Sequence, residues 1–264
     1  MSQRNWNAED YAKNSQAQLQ WAKELISKLN LQGNESLLDI GCGDGKITAA
    51  LAQILKDGLV IGIDRDLDMI NFARKNYPNT DYKNLTFSQM DAQKIELEQS
   101  FDLAFSNAVL HWVDDHVAVL KGVYKHLKPQ GKILFQMGGQ GNVGELRGVI
   151  NEITQQNEWQ AYFVNFTKPT YFYAPEDYLK WLVETNFKPL RVELIPKDMQ
   201  HQGKEGLKGW LRTTWFPYTN QLPEILKEPF LDTVVDTYLQ QIPIDEQGKT
   251  HVKMMRLEVE AIKI

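Results

Sequence analysis

The chain has 264 residues, enough to bury a sizeable core in one elaborated domain or in one domain plus a cap. Its net charge of −5 gives no basic footprint and disfavours a nucleic-acid substrate. A lone cysteine, Cys42, excludes an intramolecular disulfide and suits a reducing compartment. There is no apolar run of about 20 residues for a membrane helix. The opening Met1-Ser2-Gln3-Arg4-Asn5 lacks the hydrophobic region of a signal peptide, so a cytoplasmic protein without membrane insertion is expected.

Residues 10 to 30 predict an amphipathic helical region with Leu19, Ala22, Leu25, Ile26 and Leu29 on one side. Leu37 to Ile40 then reads as a buried strand feeding the loop Gly41-Cys42-Gly43-Asp44-Gly45, and Lys46 to Leu55 follows with helical spacing. Strand, glycine loop and helix together form the geometry in which a nucleotide-like cofactor meets bare backbone. The spacing departs from G-x-G-x-x-G, since Lys46 stands at the sixth position, and Ile47 breaks the Gly-Lys-Ser/Thr ending of a P-loop. Asp44 at the helix entrance is awkward for a pyrophosphate and harmless for a ligand without phosphate.

Leu59 to Asp64 reads as a second strand ending in an acid that can accept hydrogen bonds from a ribose diol. Asp66 is the expected N-cap of the next helix. Met69 either lies against an adenine face or fills the core. Leu85 to Ala92 predicts a third strand, with Asp91 placed for an adenine amino group. A fourth, Phe101 to Asn107, runs into Ala108-Val109-Leu110-His111-Trp112-Val113, and a fifth ends Lys132 to Met137.

These pieces resemble the class I S-adenosylmethionine (SAM)-dependent methyltransferases. The likeness rests on Asp39 to Gly45, Asp64, Asp91-Ala92, Asn107 to Trp112 and Leu127 to Lys132, over roughly residues 35 to 137. A narrower similarity is to the trans-aconitate methyltransferases, through Trp6 to Tyr11, Asn107 to Trp112, Pro129-Gln130-Gly131 before Gln136-Met137, and Gly209 to Thr214. Insect juvenile hormone acid methyltransferases share the loop, the Leu-His-Trp segment and a similar Tyr11 to Gln18 opening.

The resemblance implies SAM as cofactor and a Rossmann-like, doubly wound, seven-stranded, mostly parallel α/β sheet with an antiparallel last strand and a helical cap. Residues 1–137 would hold the N-terminal helical region and the SAM-binding core. Residues 138–264 would supply cap segments at about 138–173 and 200–250, with strands completing the sheet. The implied cofactor set is Asp39, Gly41, Cys42, Gly43, Asp64, Met69, Asp91, Ala92 and Asn107, with Gly41 and Gly43 offering amides to the methionine end. Cys42 itself reads as a small packing residue.

By the same resemblance, Tyr11, Gln18, His111 and Trp112 approach the methyl group and its acceptor, Gln18 and Trp112 as donors to a carboxylate. Each has a plainer reading: Gln18 a helix-surface residue, Trp112 a packing ring, His111 a structural histidine. Arg212, Arg147 and Lys168 are the nearest cations for a small acid, or else solvated surface charges. The histidines are scattered, and no metal-ligand spacing is present.

In the back half, residues 151 to 173 predict helical, aromatic chain and about 176 to 185 a further helix. Leu190 to Ile195 reads as strand six, and Lys204 to Val235 as helices divided by Pro217, Pro223 and Pro229. Residues 252 to 264 alternate like a last strand. The expected activity is methyl transfer to a small-molecule carboxylate, aconitate-like or another small acid. A carbon, nitrogen or lipid acceptor is the alternative, with an NAD-dependent oxidoreductase and a non-catalytic SAM-binding protein further off. The expected partner is a small carboxylic acid, with neither nucleic acid nor metal.

Overall fold

The computed structural model describes residues 16–264, with side chains from Trp21 onward. Strands β1 (Ser36–Ile40), β2 (Leu59–Asp64) and β4 (Phe101–Asn107) are short apolar runs buried along almost their whole length. That is the pattern of parallel strands covered on both faces. With β3 (Leu85–Gln89), β5 (Leu127–Gly138), β6 (Phe187–Gln202) and β7 (Lys249–Lys263) they form one seven-stranded sheet, ordered β3-β2-β1-β4-β5-β7-β6. The pairs β1–β2, β1–β4, β2–β3 and β4–β5 are parallel, and β7 is antiparallel to β5. This is the doubly wound sheet the alternation of strands and helices predicts.

Helices cover both faces because side chains alternate along each strand. Leu25 of α1 (Gln16–Ser27), Leu51 of α2 (Lys46–Ile54) and Ile70 of α3 (Leu67–Asn76) join Leu37, Phe105 and Leu134 on one face. On the other, Leu120 and Val123 of α4 (His116–His126) pack with Ile40, Ala104 and Phe135. Asp66 caps α3 as expected, accepting from the amides of Asp68 (2.9 Å) and Met69 (3.2 Å).

The described residues divide into two compact units, one with residues up to 140, 170–195 and 256–264, the other with 141–169 and 196–255. The second holds α5 (Gly144–Thr154); α6 (Pro175–Glu184) belongs to the first. The second also has α7 (Gly203–Thr214), α8 (Phe216–Thr219) and α9 (Glu224–Gln241). Its aromatic residues build its own core. Trp159 meets Phe230 edge-on at 5.2 Å between ring centroids, and Phe166 meets Tyr218 at 4.6 Å.

Several elements differ from expectation. Helix α5 stops at Thr154, and the only helical structure between there and Pro175 is a single 3-10 turn, Gln160–Tyr162. Pro169 disfavours helix for the residue before it, which keeps the chain extended there. Strand β6 continues to Gln202, well past Ile195. Pro229 sits inside α9 instead of ending it. An internal proline costs a helix about 3 kcal/mol, and burial of Phe230, Leu231, Val234 and Val235 on the same helix offsets that.

Glycines 43 and 45 separate backbone strain from crowding within one loop. Gly43 has φ +51 and space for a Cβ, whereas at Gly45 (φ +80) a Cβ would fall 2.8 Å from both Ala73 and Phe87. Gly43→Ala should cost about 1–2 kcal/mol for the left-handed backbone alone. Gly45→Ala should cost about 1–3 kcal/mol more for overpacking. Urea unfolding midpoints of the two variants check the order.

Candidate active site

The glycine loop is fastened to the end of β2. Both the Gly41 and Cys42 amides donate to the Ile63 carbonyl oxygen, at 2.7 and 2.9 Å. The next residue, Asp64, accepts from the Gly43 amide through Oδ2 and from the Asp66 amide through Oδ1, each at 2.9 Å. Asp64 thus ties the loop to the start of α3. These amides are engaged within the protein. The loop presents backbone surface instead: a Cβ built at Gly43 meets nothing within 4 Å.

Carboxylates gather at this loop. Asp39, at the C-terminal end of β1, is buried and accepts from Thr48 Oγ1 at 2.6 Å. Burial, reinforced by the charge of Asp64, pushes its carboxyl up to about 7. Burial also raises Asp64, against the two amides that favour its ionised form. The Cys42 thiol is raised by burial beside these acids, so it packs as an unreactive small side chain. The Met90 amide donates to the Asp64 carbonyl oxygen at 2.8 Å, which brings the segment with Asp91 and Ala92 beside β2. Met69 is buried in the first turn of α3.

A second loop meets the first. At Gly41 a Cβ would collide with the side chain of Val109, so only glycine allows the turn after β4 to approach this closely. Asn107 ends β4 beside Gln136, and the Ala108 amide donates to the Gln136 carbonyl oxygen at 2.8 Å. A 3-10 turn, Leu110–Trp112, then presents His111 and Trp112. The His111 ring centroid lies 5.4 Å from Trp112 and 5.9 Å from Phe172. His111 Nδ1 accepts from the Gly138 amide at 3.3 Å. The ring is held neutral, first by burial and then by the positive charge of Arg256. Because Nδ1 is the acceptor, the proton resides on Nε2.

Residues 31–186 match the methyltransferase-domain family. The chain belongs to that family. An uncharacterized methyltransferase of Schizosaccharomyces pombe is 31% identical over 262 residues, 98% of each chain. The trans-aconitate 2-methyltransferase of Agrobacterium fabrum is 28% identical over 265 residues, covering 98% of this chain and 99% of that one. In fold, the chain is similar to phosphoethanolamine N-methyltransferase 2 of Haemonchus contortus, solved with SAM, at a TM-score of 0.62. That match has 19% identity and covers 97% of this chain and 56% of the other. The YcgJ protein of Bacillus subtilis gives 0.61 at 15% identity, over 93% and 98%.

The protein is a SAM-dependent methyltransferase, and the site suits that cofactor. Buried acids favour a cationic ligand, and at Gly43 the loop leaves open space where a Cβ would stand. Among the described residues no group of three His, Cys, Asp or Glu could hold a metal ion, and no helix is long and apolar enough to cross a membrane.

The structure brings Asp39, Gly41, Cys42, Gly43, Asp64, Asn107, His111 and Trp112 of the methyltransferase together in the first unit. Arg212 belongs to the second unit, where its guanidinium forks onto Glu228 at 2.8 and 3.1 Å. Tyr11 and the side chain of Gln18 lie outside the described residues. His116 escaped the sequence reading as one of several scattered histidines. Its Nε2 bonds the Leu110 and Val113 carbonyl oxygens (2.9 and 3.1 Å) and its Nδ1 bonds Tyr178 Oη (2.6 Å), so it pins the turn that carries His111 and Trp112. No local sequence signal marks that role, since Tyr178 is 62 residues away.

Burial lowers His116 to about 4. A folded-state value below the unfolded 6.5 gives stability that is present above pH 6.5 and lost as pH falls toward 4. His116→Gln should therefore cost about 1–3 kcal/mol at pH 7 through the broken bonds. The gap to the wild type should narrow by about 2 kcal/mol at pH 5. Denaturant unfolding at the two pH values measures it.

Proposed function

We propose that this methyltransferase transfers the methyl group of SAM to a carboxylate oxygen of a small acid, forming a methyl ester. The observation that carries the proposal is the protonation of His111. Its Nδ1 is taken by the Gly138 amide, so the ring can donate from Nε2 but cannot serve as a base. An alcohol acceptor must lose a proton to become a nucleophile. A carboxylate, with an ordinary pKa of about 4, is already ionised at neutral pH and needs only donors to hold it. The similarity to trans-aconitate 2-methyltransferases along nearly the whole chain supports the same reading.

When bound, the cofactor supplies a methyl group on a sulfonium: the S–CH3 bond breaks with its electron pair going to sulfur as the O–CH3 bond forms. We assign Asp64 to the ribose, Asp91 and Met69 to the adenine, and Asp39, Asn107 and the glycine loop with Ala92 to the rest of the cofactor. We assign His111 Nε2–H and the Trp112 indole N–H as donors to the acceptor carboxylate; Gln18 and Tyr11 keep the roles the resemblance implies. Holding the two reactants in line contributes up to about 7–11 kcal/mol toward the barrier. The rings of Trp112 and Phe172 around His111 exclude water, which favours a reaction that annihilates charge.

Labelled SAM offered with a panel of carboxylic acids, from trans-aconitate to fatty and isoprenoid acids, should place base-labile label in an acid product. Transfer only to carbon, nitrogen or lipid acceptors would refute the carboxylate reading. A second outcome concerns Asp39. A cationic cofactor favours its ionised form, so SAM affinity should fall by up to about tenfold between pH 8 and pH 6 as the carboxyl gains its proton. Calorimetry should show that this dependence disappears in Asp39→Asn.

A further inference from the structure

Three tyrosines from the stretch 171–178 close on the turn that carries His111 and Trp112. The Tyr171 amide donates to the His111 carbonyl oxygen at 2.8 Å. The Tyr173 hydroxyl donates to the Asp114 carbonyl oxygen at 3.0 Å. Tyr178, in α6, lies deepest: it is 1% exposed, and its Oη stands 2.6 Å from His116 Nδ1. The stretch and the turn belong to the same compact unit.

The direction of the Tyr178 bond follows from what His116 faces. Its Nε2 lies against the carbonyl oxygens of Leu110 and Val113, which bracket the 3-10 turn. A carbonyl oxygen can only accept, so Nε2 carries a proton. Burial keeps the ring neutral at pH 7, which leaves a lone pair on Nδ1. The Tyr178 hydroxyl therefore donates to Nδ1. Met137 Sδ, 3.2 Å from the same hydroxyl oxygen, is the weaker competitor for that proton. The rings of Tyr173, Tyr178 and Trp181 stand 4.7, 5.4 and 5.7 Å from the imidazole, centroid to centroid, and pack it in the interior.

A neutral imidazole has a second form, with its proton on Nδ1. In that form the Nε2 lone pair would face two carbonyl oxygens, and both bonds to the turn would be lost. The Tyr178 hydroxyl selects against it, because an O–H aimed at Nδ1 needs a lone pair there.

We propose that Tyr178 is a positioning residue for methyl transfer: by donating to His116 Nδ1 it fixes the imidazole that anchors the turn, and so aims His111 Nε2–H and the Trp112 indole. This rests on the roles given to His111 and Trp112 above. Tyr178 acts through His116 and makes no bond to the acceptor. Its effect is on kcat, since a misplacement of about 1 Å at a reacting group can cost about a hundredfold.

The test is Tyr178→Phe, which removes the hydroxyl and keeps the ring. One readout is the imidazole nitrogen NMR signals of His111 and His116. The other is kcat with trans-aconitate or, where that acid takes no label, with the acid of the panel above that takes it fastest. His116 should pass from the single Nε2–H form to a mixture of both neutral forms, and the His111 signals should shift. Turnover should fall about tenfold, with KM and calorimetric SAM affinity within about threefold of the wild type. In a His116→Leu background the same substitution should lower kcat less than about twofold, because no imidazole is left to hold. An equal loss in both backgrounds would make Tyr178 a packing residue and overturn the proposal, as would His111 signals or a kcat unmoved by Tyr178→Phe. If His116→Leu does not fold, the two readouts on the single variant decide. A wild type that methylates no acid would refute the carboxylate reading instead. The His111 signals then still judge Tyr178: shifted they uphold its role, and unmoved they overturn it.

Discussion

The carbonyl oxygen of Ile63 holds the site together. It takes two successive loop amides, from Gly41 and Cys42, and the neighbouring Asp64 takes a third from Gly43. A loop that spent its amides on a ligand would gain order only upon binding. This one is held by β2 through its own amides. Pre-organisation of this kind lowers the entropic cost of binding. It also fixes where Gly41 stands, and Gly41 in turn fixes Val109 and the turn that follows.

That arrangement has an electrostatic consequence. Fastening the loop with a buried carboxylate places the charge of Asp64 close enough to Asp39 to disfavour its ionised form, on top of the loss of hydration. A cationic ligand placed at these acids would favour their ionised forms. The same reasoning accounts for Asp44, a negative charge at a helix entrance that would repel a pyrophosphate.

The sheet order, the loop and the cap at Asp66 were legible in the sequence because each follows from a local rule: apolar runs for buried strands, glycine where φ is positive, an acid two residues ahead of an amide. The stretch after Thr154 was misread as helix, since its aromatic residues serve packing within the second unit and carry no helical period. Pro229 was misread for the opposite reason: a local rule predicted a break, and tertiary burial outweighed it. His116 and Arg256 carried no local sign of their contacts, because their partners lie far along the chain, Tyr178 for one and Gln136 for the other. A signal did exist at Arg256. Val252 and Met254 mark an inward face on β7, and Arg256 and Glu258 continue that face with charges, which a strand buries only when partners await them.

His111 shows why a histidine at a candidate site need not be an acid or a base. Its Nδ1 faces a backbone amide that cannot accept a proton, so the imidazole is locked in one tautomer. Protonating it would break that bond and put a cation among rings beside a guanidinium, and so the ring stays neutral. What remains is a donor of fixed direction, carried on a turn that His116 braces from below. A donor without charge can orient an anionic nucleophile while withdrawing little of its electron density, whereas an imidazolium or a lysine would hold the anion more tightly in the ground state than in the transition state.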